Sequence, residues 1–134
     1  MAWSDVPFLL HFFVQGEMDV MMLAKLLQIF PSINNRVVEP SRDQLLMYKA
    51  HVQARADQLQ GVVCDWRQQT MDEYQKAGNH TKFHFISAIH SLYYAEDIEQ
   101  SLLHLYDLLE LGGMLLVIAR SGNGIITTFI SPYP

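Results

Sequence analysis

Two residues carry the first hint of chemistry, Gly16 and Glu39. Gly16 stands in the stretch FFVQGE (12–17), between an apolar run and a helical pattern. That is where a nucleotide-binding α/β chain carries its glycine-rich turn. Glu39 lies about 20 positions further on, where such chains place an acid. It ends a short extended stretch that begins after Asn34 and Asn35. A carboxylate there can accept hydrogen bonds from both ribose hydroxyls of an adenosine-type cofactor. A solvated acid at a strand end fits the spacing equally well. Only one glycine of the turn is present, so the stretch belongs either to a cofactor enzyme with a damaged loop or to another kind of protein.

The remaining titratable residues offer less. His84 and His90 have no Cys or second carboxylate at a metal-ligand spacing, and no metal site is expected. Cys64 falls in an apolar stretch and reads as packing. Ser121, between Arg120 and Gly122, lacks the G-x-S-x-G frame of a nucleophile elbow. No catalytic residue is assigned.

The elements that would position these residues alternate. Residues 7–14 (PFLLHFFV) read as a buried strand, and 16–30 as a helix with Leu23, Leu26, Leu27 and Phe30 at helical spacing. Glu17 and Asp19 suit its first turn, where the helix dipole favours negative charge. A strand ends near Glu39. SRDQ (41–44) then has the form of a capping box, which by itself accounts for Gln44. Leu45, Tyr48, Val52, Ala56 and Leu59 form one apolar stripe. Strands follow at 61–66, 82–89 and 114–119, with helices at 70–78 and from Ile98 to Leu109, the latter stopped by Gly112 and Gly113. Five such alternations imply βαβ units and a parallel sheet. Asn123-Gly124 then signals a hairpin whose second strand, IITTFI, would cover a sheet edge.

Length and composition narrow the class. The chain has 134 residues and is 50% hydrophobic, enough for one domain with a core. Its net charge of −5 opposes a nucleic-acid surface, which needs clustered cations. One cysteine excludes an internal disulfide and fits a reducing, cytoplasmic setting. The apolar run near the N-terminus is too short to span a bilayer and contains His11, and no basic segment marks a secretory signal.

Three strings carry a resemblance: INNRVVEPSRDQLLMYK (33–49), FISAIHSLYYAEDIEQSL (85–102) and GEMDVMMLAKLLQIFP (16–31). They resemble the corresponding stretches of the histamine N-methyltransferase family. LELGGMLLVIARSG (109–122) matches a wider pattern of S-adenosylmethionine-dependent methyltransferases. The resemblance implies a partial Rossmann-like α/β sheet in order 3-2-1-4-5. It implies one incomplete domain over 1–134, with an altered N-terminus (1–15), a family-like part (16–124) and a divergent tail (125–134). It further implies S-adenosylmethionine as cofactor, a histamine-like amine as substrate, and a monomer, although an exposed sheet edge would promote association. By the same resemblance Gly16, Glu39, Gln44, Thr70, Met71 and Ile89 are cofactor contacts, and Tyr93 and Tyr94 line the substrate pocket. Aromatic faces suit a cationic amine and a flat imidazole.

The departures from the family are as informative. Its GGGAGE loop has become FFVQGE, with Phe12 and Phe13 at glycine positions. Met71 replaces a polar residue, and His84 replaces the acid that opens the fourth strand. The family's N-terminal substrate-binding acid, last strands and substrate-covering helices have no counterpart. A weak or inactive S-adenosylmethionine methyltransferase is expected; the alternative is a catalytically silent relative acting as a fold fragment or interaction module. A dinucleotide oxidoreductase is disfavoured by the missing G-x-G-x-x-G.

Overall fold

The structure, a computed structural model, describes residues 6–12, 16–78, 81–89, 98–121 and 124–130. Five strands run parallel: β1 (Phe8–Phe12), β2 (Ile33–Val38), β3 (Val62–Arg67), β4 (Phe83–Ile89) and β5 (Leu109–Ser121). A sixth, β6 (Gly124–Ile130), runs antiparallel to β5. The sheet order is β3-β2-β1-β4-β5-β6, so the expected 3-2-1-4-5 arrangement and the terminal hairpin strand are both present.

β1 is central because it is apolar on both faces. Leu10 and Phe12 pack with Tyr74 and Met71 of α3 (Met71–Lys76) and Leu105 of α4 (Ile98–Asp107). Leu9, on the alternate face, packs with Val20 and Leu23 of α1 (Gly16–Leu26) and Leu45 and Tyr48 of α2 (Arg42–Ala54). The period-two alternation of a strand thus feeds two core layers. Full burial stabilises each such side chain by about 1.5–3 kcal/mol.

Three expectations need correction. The helix after Gly16 ends at Leu26 rather than Phe30; Phe30 is buried beyond a turn. The stripe through Ala56 breaks, because α2 ends at Ala54 and Ala56 opens a short 3₁₀ turn and is exposed. Gly112 and Gly113 do not stop a helix: α4 has already ended at Asp107, and both glycines lie inside β5. There the register against β4 slips, with Leu109 opposite Phe83 but Met114 opposite Phe85. Gly112 has φ +79°, and a Cβ on Gly113 would meet the carbonyl oxygens of Glu110, His84 and Phe83 at 2.9–3.1 Å. The pair is a bulge that lets the backbone close onto β4.

Candidate functional site

The C-terminal ends of β1, β2 and β4 lie side by side. Phe12 is in register with Val38 on one side and with Ala88 on the other. Glu39 and Ile89, one residue further along, therefore flank the end of β1. This is the edge where parallel α/β sheets bind ligands, at the point where strand order reverses.

Glu39 is almost fully buried, at 1% exposure. Its N–H donates to Arg67 O at 3.0 Å, extending the ladder with β3 by one residue. Its carboxylate Oε2 accepts from the Ser41 N–H at 2.8 Å. That bond changes the meaning of SRDQ. Ser41 does cap α2, its Oγ accepting from the Gln44 N–H at 3.3 Å. The reciprocal partner of the Ser41 N–H is Glu39 rather than the side chain of Gln44. Gln44 is exposed on the first turn of α2, with its side chain outside the cap.

Gly16 opens α1, and a Cβ there would lie 2.9 Å from His51 Cδ2 and 3.3 Å from the Tyr48 Cα. Its missing side chain lets the start of α1 close onto α2. This is a packing demand independent of any ligand. Phe12 is also committed elsewhere: it is 2% exposed and meets Tyr74 edge-on, ring centroids 5.5 Å apart. Phe13, Val14 and Gln15 lie outside the described residues.

Thr70 and Met71 begin α3. Thr70 forms a complete capping box, its Oγ1 accepting from the Glu73 N–H at 3.1 Å and its N–H donating to Glu73 Oε1 at 2.9 Å. Met71 is buried with Phe12 and Tyr74. Thr70 serves the helix start and Met71 the core. Ile89 is the last residue of β4, opposite Ile118. Tyr93, Tyr94 and His90 lie outside the described residues. His84, the second residue of β4, accepts the Phe8 N–H on Nδ1 at 3.0 Å.

Beneath this edge, under α1 and α2, is a buried polar cluster that spacing alone did not reveal. His11 Nδ1 lies 2.7 Å from Ser87 Oγ, and Asn35 Nδ2 donates to the Tyr48 hydroxyl at 3.0 Å. Burial lowers the His11 pKa, against opposing effects of Asp19 and Asn35. Burial likewise pushes the Tyr48 hydroxyl and the Cys64 thiol up, so neither is a nucleophile at neutral pH. The available signal was a polar residue at an inward position of an apolar strand: His11 in FLLHF and Asn35 in INNRVV.

On the other face, Arg36 Nε donates to Asp65 Oδ2 at 2.8 Å, Arg36 donates to the Tyr74 hydroxyl at 3.0 Å, and Arg67 Nε donates to Asp65 Oδ1 at 3.0 Å. Hydrogen bonds from Arg67, then Arg36, hold the Asp65 carboxyl below its ordinary pKa. Among the described residues no group of three His, Cys, Asp or Glu side chains could hold a metal ion, and no helix is long and apolar enough to cross a membrane.

No protein-family model matches the chain. Curated relatives do. The chain is 38% identical over 124 residues to histamine N-methyltransferase A of Xenopus laevis, covering 88% of this chain and 42% of the relative. It is 38% identical over 114 residues to carnosine N-methyltransferase 2 of Gallus gallus, covering 81% and 35%. The chain thus spans about two fifths of the length of the curated relatives it matches. Among solved structures, an arsenic(III) S-adenosylmethionine methyltransferase from Chlamydomonas reinhardtii superposes with a TM-score of 0.65 at 19% identity, covering 84% of this chain and 38% of the other. That likeness establishes a shared fold.

Proposed function

We propose that this chain, a homologue of the histamine N-methyltransferases over most of its length, is the cofactor-binding portion of an S-adenosylmethionine-dependent N-methyltransferase. The observation that carries this reading is Glu39: a buried carboxylate at the C-terminal end of β2, beside the end of β1 and oriented by the Ser41 N–H. A carboxylate so fixed suits a ribose diol, which offers two hydroxyl donors to one acceptor group. The cofactor, when bound, supplies a methyl group already activated on a sulfonium.

The chain's own residues would hold and orient it. Glu39 grips the ribose, and Ile89, one position past the β1 end on the other side, is the second contact we assign. Gln44 is placed on the first turn of α2 with its side chain available. Thr70 and Met71 contribute through the start of α3. Gly16 keeps the start of α1 close to α2. The relatives' named substrates, histamine and carnosine, both carry an imidazole. Tyr93 and Tyr94 are the residues we assign to such a ring. Placement and exclusion of water account for up to roughly 7–11 kcal/mol of barrier in aligned reactions. With Phe13, Val14 and Gln15 at positions where the family's loop has small residues, we expect that placement to be poor and turnover to be weak or absent.

Calorimetric titration with S-adenosylhomocysteine, and with NAD as control, tests the reading. Binding of the first that is lost in Glu39→Ala supports it; binding of NAD alone overturns it. A second reading is a silent relative that keeps the fold without the ligand. It is favoured by the non-glycine residues of FFVQ, and binding of neither compound would establish it.

A further inference from the structure

α1 packs on the sheet through Val20 and Leu23, both fully buried. Its exposed residues are Glu17, Met18, Met21 and Lys25. Met18 is 68% exposed and Met21 51%. A surface helix ordinarily buries one apolar stripe and turns polar residues outward; α1 also carries two large thioethers on its solvent side. Methionine adapts its shape to irregular neighbours, which suits it to a contact between molecules. Glu17, Met21 and Lys25 are spaced four apart and form one stripe, acid at one end and base at the other. Neither charge forms a salt bridge among the described residues. Beside the stripe runs a groove lined by Met21, Met22, Ala24, Lys25, Gln28 and Arg55, in which Ala24 is the smallest side chain.

This pattern is complementary to itself. Two α1 helices laid antiparallel about Met21 set Met21 against Met21 and Glu17 of each against Lys25 of the other. They also bring Met18 of each opposite Ala24 of the other, where the groove has most room. We propose that the outer face of α1 docks antiparallel on the same face of a second copy of this chain, with Met21 at the two-fold axis. The contact is isologous: one face serves on both sides, and a single two-fold operation closes it. The two Glu–Lys pairs select the direction, because a parallel alignment in register sets Glu17 on Glu17 and Lys25 on Lys25. The helix dipoles favour the same direction. The four exposed residues thereby all acquire a partner: the methionines leave water and each charge meets its opposite. One helix pair is a small interface, so the dimer should dissociate on dilution.

Sedimentation velocity of the full chain across a concentration range tests this. The expected result is a reversible monomer–dimer equilibrium. Met21→Glu, which sets two carboxylates face to face on the axis, should abolish the dimer while keeping the cooperative thermal transition. Leu103→Glu should leave the dimer intact, since Leu103 is exposed on α4 across the sheet. Charge reversal gives an independent answer that does not depend on the variant at 21. Glu17→Lys alone and Lys25→Glu alone should each weaken self-association, because each sets like charges together twice. An equimolar mixture of those two variants should dimerise again, since every pair in the mixed dimer then joins opposite charges. A monomer at every concentration, a dimer that survives Met21→Glu, one lost through Leu103→Glu, a mixture that associates no better than its components, or open-ended oligomers would each overturn the proposal.

Discussion

His11 sets how this fold should respond to acid. It lies on the central strand, fully buried, with Nδ1 2.7 Å from Ser87 Oγ. The facing groups are Asp19 on α1, Asn35 on β2 with Tyr48 behind it, and Ser87 on β4. Burial wins over the attraction of Asp19, so the folded state holds the ring neutral below its ordinary pKa. The unfolded chain binds a proton near pH 6.5 and the folded chain does not. Stability is therefore intact above pH 6.5 and falls as pH drops towards the folded pKa. The slope from this one group approaches about 1.4 kcal/mol per pH unit. His84 and His104, whose pKa values burial also lowers, add loss of the same sign. Comparison with a variant isolates His11. His11→Leu alone strands the Ser87 hydroxyl at a cost of about 1–3 kcal/mol; His11→Leu with Ser87→Ala removes both polar partners and recovers most of that. Urea denaturation at intervals from pH 8 to pH 5 reads the outcome. The double variant should show a shallower decline than the wild type, by up to one proton. Parallel curves would refute the assignment of His11 as a buried neutral ring.

Glu39→Ala should weaken S-adenosylhomocysteine binding by about 1–3 kcal/mol, the usual loss for hydrogen bonds to a charged group, as read by calorimetry; an unchanged dissociation constant would remove Glu39 from the site. Phe12→Ala should destabilise the fold by about 3–5 kcal/mol, because the ring is buried against Tyr74, as a shift of the urea midpoint would register. Asp65→Asn should flatten the acid limb of the stability curve below about pH 4, because a carboxyl held below its ordinary pKa loses its stabilising effect as pH falls through that value. Gly113→Ala should lower Tm through contact with three backbone carbonyls, and an unchanged Tm would show that the β5 bulge yields freely.

The strand–helix alternation was legible because apolar periodicity is local. FLLHF, INNRVV and FHFISAI each declare a buried strand without knowledge of their neighbours. The position of Glu39 followed from the same pattern. What the sequence could not express were demands made across the fold. Gly112 and Gly113 read as a helix stop, yet Gly112 is needed for its positive φ within β5, and Gly113 for the closeness of the Phe83 and His84 carbonyls on another strand. The His11–Ser87 contact joins residues 76 positions apart. SRDQ had the right local form for a capping box, but Glu39 took the N–H that Gln44 would have taken. Each miss is a tertiary partner outcompeting a local one.

The same distinction narrows the question raised by FFVQGE. Four residues replace the small residues of the family's loop, but they do not weigh equally. Phe12 is strand and core: its backbone pairs with Val38 and Ala88, and its ring packs on Tyr74. Returning it to glycine would remove a core ring to relieve an obstruction that this ring does not make. Gly16 is held by the closeness of α1 and α2. The lesion, if cofactor binding is weak, therefore belongs to Phe13, Val14 and Gln15. Each brings a Cβ to a position where the family's loop has a glycine or alanine, and Val14 resists positive φ. Changing only these three to Gly-Gly-Ala should raise S-adenosylhomocysteine affinity without loss of stability. Changing Phe12 as well should raise affinity no further and should unfold part of the population. If the four-residue change binds more tightly than the three-residue change, Phe12 blocks the ligand after all, and the separation between core and loop drawn at residue 12 is wrong.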